Sequence, residues 1–288
     1  MTATALLVEP DWLHEHLKEP NVRILDCTTH MIAQPVGPSR IKSGLPDFNS
    51  GHIPGALHVD MVDDLSDPKG VFPYTMPSAK QFESVMQRLG IHETDHVVLY
   101  GDSAMMTITR AWLVFVVNGH PNTSILNGNL ATWRQAGFPV SSEVLGYPKS
   151  NYRSKHRLEQ HITNLAKVRQ AMTDRSHTLI NALNPEQFTG TGGAHYGRPG
   201  RIPGSVNLPA RSLVNAQEGR FKTISELQEF VRLAGITDES STVHYCGGGI
   251  AASTTAFVLA LLGHSDWTVY DDSLLQWSNE SDTPMVSG

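Results

Sequence analysis

What this sequence has little of narrows its chemistry first. Cysteine occurs twice in 288 residues, as Cys27 and Cys246, far apart and without paired spacing. That excludes a disulfide framework and argues against a cysteine-built zinc site. Charged residues make up 17% and the net charge is −6, so no overall basic field draws nucleic acid or an anionic membrane surface. No window reaches the roughly 18 apolar residues of a membrane span, and the opening MTATALLVEPDWLHEHL lacks the basic start and apolar run of a secretion leader. These absences predict a cytoplasmic chain with neither nucleic acid nor membrane as partner. Low-complexity tracts are missing too, while 40% hydrophobic residues supply a folded core.

What is present is written twice. The stretch 51-GHIPGALHVD-60 matches 200-GRIPGSVNLP-209, 97-VVLYGDSAMMTITRAWLVFVVNGH-120 matches 242-TVHYCGGGIAASTTAFVLALLGH-264, and 125-ILNGNLATW-133 matches 269-VYDDSLLQW-277. The offsets are 200 − 51 = 149, 245 − 100 = 145 at the paired tyrosines and 277 − 133 = 144 at the paired tryptophans. Three collinear blocks at half the chain length point to a duplicated domain. Residues 1–142 and 159–288 form the two units, and the polar, Gly- and Pro-containing segment 143–158 is the expected linker.

Short apolar runs alternate with helical patterns in each half. Strands are predicted at 22-VRILDC-27, 97-VVLY-100, 123-TSIL-126, 178-TLINAL-183, 242-TVHY-245 and 267-WTVY-270, and helices at 109–119 and 252–263. Strands apolar on both faces and separated by helices make an α/β fold, each half a parallel sheet covered on both sides.

The bend at Cys246 holds the chemistry, and three readings compete for it. Gly247, Gly249 and Ala252 fit a dinucleotide-binding G-x-G-x-x-A, with Asp271 or Asp272 about 20 residues on; the duplicate bend, 101-GDSAMM-106, has lost the glycines, and only one more strand follows. A cysteine phosphatase needs an arginine six residues after the thiol, where this chain has Ala252; without that bidentate cation a phosphoryl dianion loses its charge-assisted bonds. In the third reading the thiol carries sulfur. Small residues let backbone N–H groups curl around Cys246, and the helix that follows adds the positive end of its dipole, favouring thiolate. Cys27, which ends an apolar run with no glycine loop, reads as a core thiol.

These features together resemble the tandem-domain rhodanese family, which includes the thiosulfate and 3-mercaptopyruvate sulfurtransferases. The resemblance covers nearly the whole chain and implies two rhodanese-like domains, the first non-catalytic. It implies that Cys246 is the persulfide-bearing nucleophile, with Gly247, Gly248, Gly249, Ile250 and Ala251 forming the active loop. His52 and Asp47 match positions that lie near the site in mercaptopyruvate-type members. Neither metal nor cofactor is implied; the partners are a small anionic sulfur donor and a small-molecule or thiol acceptor such as cyanide. The chain departs from the family pattern at Leu183 and Gln187, which stand where relatives have arginine, and its active loop carries no basic residue. Arg198 and Arg201, in 195-HYGRPGR-201, are the expected substitutes for the missing cations. The rival expectation is a rhodanese-like module that binds or relays redox state without catalysis.

Overall fold

The computed structural model describes residues 5–34, 37 and 39–288; residues 1–4, part of the stretch read for a leader, lie outside them. The first half carries β1 (Leu7–Val8), β2 (Val22–Asp26), β3 (Thr29–Ile32), β4 (Arg40–Ser43), β5 (Leu57–His58), β6 (His96–Tyr100) and β7 (Thr123–Leu126). The second carries β8 (Ile162–Thr163), β9 (Thr178–Asn181), β10 (Val206–Asn207), β11 (Val214–Asn215), β12 (Arg220–Phe221), β13 (Thr242–Tyr245) and β14 (Trp267–Tyr270).

One five-stranded sheet runs β1-β7-β6-β2-β5 and the other β8-β14-β13-β9-β10, and every pairing within them is parallel. Counting only the strands of each five-stranded sheet, both orders read first-fifth-fourth-second-third, so the duplication read from the sequence is a duplication of topology. Side chains along β6 and β13 are buried on both faces, as helices on either side of a parallel sheet require. Equivalent tyrosines tie each sheet to its matching turn. Tyr100 Oη accepts the Ile53 N–H at 3.2 Å, and Tyr245 Oη accepts the Ile202 N–H at 3.1 Å.

The helices Met105–Val117 and Ile250–Leu261 are apolar nearly all round, which calls for burial on both sides. Each packs one face on its own sheet and the other on its counterpart. Trp112 meets Phe257 edge-on at 5.0 Å, and Thr109 Oγ1 lies 2.9 Å from both Ser253 Oγ and Thr254 Oγ1. The domain interface is therefore continuous with the core.

Residues 142–157 have no regular helix or strand, yet the segment does not hang in solvent. Tyr152 is buried with its hydroxyl 3.0 Å from His120 Nδ1, and the Lys155 N–H donates to Asn118 O at 3.0 Å. Its polar composition concealed this strapping to the first domain. Among the described residues no helix is long and apolar enough to cross a membrane.

Candidate active site

Cys246 follows β13 directly, at the carboxyl end of the second sheet, where open α/β sheets place their ligands. Its N–H donates to Ser273 Oγ at 3.0 Å, and its carbonyl accepts the Leu274 N–H at 3.2 Å. The Gly247 carbonyl accepts the Leu275 N–H at 2.8 Å. The bend is thus stitched to the short helix Ser273–Trp277. Ser273 itself has φ 48, a left-handed value unusual for a residue with a side chain, and is held there by its hydroxyl's bond to Tyr270 O at 2.7 Å.

Each glycine of the bend has its own steric reason. A Cβ on Gly247 would fall inside the Tyr196 ring, so that ring lies against the backbone beside the cysteine. A Cβ on Gly248 would stand 2.9 Å from Leu275 Cδ1. Gly249 has φ +82, where L side chains are strained, and starts the helix Ile250–Leu261.

Cys246 is only 2% exposed but opens on a cavity of about 410 Å³ between the two halves. The first domain contributes Met31, Gln34, Tyr74 and Met106; the second adds Leu183, Glu186, Gln187, Tyr196 and Arg211, with Gly248, Ile250 and Ala251 of the loop. The walls are mainly apolar. Among the described residues Arg211 is the one cation of the lining, and Glu186 the one carboxylate. Burial, then the neighbouring Cys246, pushes the Tyr196 phenol up to about 12, so it stays protonated and able to donate. Leu183 and Gln187 do line the cavity, but the Gln187 amide is bound to Ala194 O at 2.9 Å.

The structure does not bring the expected Arg198, Arg201, His52 and Asp47 to this cavity. Arg198 clamps the chain's last turns, donating to Ser278 O at 3.0 Å, Glu280 O at 2.7 Å and Thr283 Oγ1 at 2.8 Å. Arg201 stacks on Phe188 at 4.4 Å and donates to Gly288 O at 2.8 Å. His52 is fully buried, with Nδ1 2.7 Å from Phe48 O and Nε2 3.1 Å from Glu143 O. Asp47 pairs on the surface with His30 at 2.7 Å.

His52 and Arg201 are equivalent positions of the repeat, since 201 − 52 = 149. Each makes an antiparallel bridge to its domain's trailing segment, His52 with Ser141 and Arg201 with Val286. A duty shared by both halves is structural, and the repeat carried that signal. Cys27 is 1% exposed at the end of β2, and burial raises its thiol pKa well above the ordinary value.

Several residues at the site escaped the sequence reading. Arg211 lies on the turn Ala210–Leu213, with nothing local to announce it. Arg110 was detectable as a lone charge in an apolar helix, which demands a buried partner. That partner is Asp271.

Comparison with known proteins agrees with this geometry. The family model for the rhodanese-like domain matches twice, over residues 9–136 and 164–280. The sulfur carrier protein TtuD of Thermus thermophilus is 31% identical over 98% of this chain and 97% of its own length. The 3-mercaptopyruvate sulfurtransferase of Escherichia coli K12 is 27% identical over 98% of each chain. The crystal structure of SseA from Escherichia coli, described as a 3-mercaptopyruvate sulfotransferase, superposes with a TM-score of 0.82 at 26% identity, covering 94% of this chain and 99% of that one. The chain belongs to the rhodanese family, as a tandem-domain sulfurtransferase.

Proposed function

We propose that Cys246 carries the transferred sulfur and that the donor is a small organic monoanion of the 3-mercaptopyruvate type, rather than thiosulfate. The Cys246 thiolate attacks the donor's sulfur, and the carbon–sulfur bond breaks with its electron pair passing to the carbonyl side. The enolate that departs takes a proton to become the 2-oxo acid. Cys246 is left as a persulfide. An acceptor such as cyanide or a thiol then attacks the terminal sulfur, and the Cys246 thiolate is released for another turn.

The observation that carries the donor class is the cavity's charge. Among the described residues Arg211 is the one cation of its lining, and the neutral Leu183 and Gln187 line it at the places where the family resemblance implies arginine. One guanidinium suits one carboxylate; a dianion with a single cation in a mainly apolar cavity is left undercompensated. Tyr196 adds a neutral hydroxyl donor to the same cavity. Steady-state kinetics with both donors test this reading. A higher kcat/KM for 3-mercaptopyruvate is expected, and a preference for thiosulfate would contradict the assignment.

A further inference from the structure

Arg110 belongs to the first domain, is fully buried, and reaches across the interface into the bend that carries Cys246. Its Nη1 pairs with Asp271 Oδ1 and lies 3.4 Å from Gly249 O, while Nη2 donates to Tyr74 O at 2.5 Å. The other Asp271 oxygen accepts the Met76 N–H at 3.0 Å. Three parts of the site meet at one guanidinium. Gly249 closes the active loop, Asp271 precedes the Ser273 that holds the Cys246 N–H, and Tyr74 is a wall of the cavity. Tyr74 has φ 64 and Gly249 φ +82, so two unusual backbone conformations offer their carbonyls to the same side chain.

The repeat supplies an internal control. Asn127 matches Asp271, because 271 − 127 = 144, and Phe221 matches Met76, because 221 − 76 = 145. Asn127 Oδ1 accepts the Phe221 N–H at 3.0 Å, so the backbone contact across the interface exists on both sides. The buried charge pair does not; that side has instead the more exposed Glu9–Arg220 pair at 2.7 Å. The position matching Arg110 is Thr255, which bonds His244 Nδ1 at 2.8 Å within its own domain. An interface that only had to hold together could do so without a buried ion pair, as the other side shows. The pair is also costly, since Arg110 Nε is buried with no acceptor among the described residues.

From this we infer that Arg110 is a positioning residue for sulfur transfer: the non-catalytic domain uses it to fix the active loop and the Tyr74 wall relative to Cys246. The inference rests on Cys246 being the nucleophile. It explains why the first half is retained although Gly101 stands in the cysteine's place. Loosening the clamp lets the active loop and the Tyr74 wall shift relative to the sulfur, misplacing the reacting groups.

The test compares Arg110→Met, Arg110→Lys and Asp271→Asn with Thr109→Val, which removes an interdomain hydroxyl contact without touching the loop. Two quantities are read: kcat and KM for transfer, and the pH profile of Cys246 alkylation by iodoacetamide, which needs no sulfur donor. The other titratable groups lining the cavity are Tyr74, Glu186, Tyr196 and Arg211, all unchanged in these variants. For Arg110→Met we expect kcat to fall about 100-fold with a smaller change in KM, as for a misplaced reacting group. Its alkylation profile should depart from the parent's. Arg110→Lys keeps the charge but not the fork and should recover part of both losses, while Thr109→Val stays within about twofold. Should Arg110→Met fail to fold, Arg110→Lys and Asp271→Asn decide. A parental kcat and alkylation profile in any folded clamp variant overturns the inference, even if its Tm falls. Sulfur transfer surviving in Cys246→Ser would instead remove the nucleophile assignment, an outcome the alkylation profiles keep separate.

Discussion

Gly101 and Cys246 occupy the same place in two domains of one topology, each directly after the sheet's central strand. Around Cys246 the backbone opens on a cavity, and a tyrosine ring lies against Gly247. Around Gly101 the space is filled: a Cβ there would stand 2.5 Å from Ile108 Cδ1 and 3.1 Å from the Thr28 N. The fold therefore supplies a position for a reactive group in both halves, while the place beside Cys246 opens on a cavity and the place beside Gly101 is packed. Fold alone does not confer the activity.

The largest effect comes from exchanging the thiols' roles. Cys246→Ser should abolish transfer with the fold intact, since a hydroxyl is far less nucleophilic at neutral pH. Cys27→Ser should leave transfer unchanged. Gly101→Cys should gain no persulfide, and it should lose about 1–3 kcal/mol of stability by overpacking, read by urea unfolding. Sulfur found on the thiol introduced by Gly101→Cys would show that the two bends are closer in chemistry than their surroundings imply.

Next in size is the loop. Gly247→Val must displace the Tyr196 ring, and kcat/KM should drop about 100-fold, in line with a misplacement of about 1 Å at the reacting centre. Gly146→Ala, at an open position without a left-handed backbone, should leave kcat/KM unchanged.

A smaller effect separates the arginines. Arg211→Ala removes the cavity's cation, and a charge-assisted bond of about 1.5–3 kcal/mol predicts a fall in kcat/KM of about 10- to 150-fold. Because Arg211 is exposed, the lower end is expected. Arg198→Ala should instead lower Tm, by freeing the tail it clamps, with kcat/KM near the parent value.

The smallest effect concerns acid stability and touches both halves. Burial pushes His120, in the first domain, down to about 4, and burial with the neighbouring His264 pushes His244, in the second, down to about 3. Their ordinary value is 6.5. Below that pH the unfolded chain binds more protons than the folded one, so stability falls as pH falls toward 4. The urea midpoint should be level near neutrality and decline below about pH 6; a flat midpoint down to pH 4 would contradict the burial of neutral histidines.

Much of this was legible in the sequence, for definite reasons. The central strands β2, β6, β7, β9, β13 and β14 are apolar on both faces and bounded by turns, so their runs stand out. The edge strands β1, β5, β8 and β10 are two residues long and leave no period to detect. Cys246 and its glycines were visible because the repeat offered a counterpart without them. Arg211 and Arg110 are brought to the site by tertiary placement that no local pattern encodes, and Arg198 looked available only because its backbone acceptors lie about 80 residues away along the chain.

The most direct test of the central claim is the intact mass of the protein after incubation with 3-mercaptopyruvate and removal of excess donor, followed by peptide mapping under non-reducing conditions. A persulfide on Cys246 gives a mass increase of one sulfur atom, located on the peptide containing Cys246 and discharged by cyanide. An unchanged mass, or sulfur found on Cys27, would contradict it.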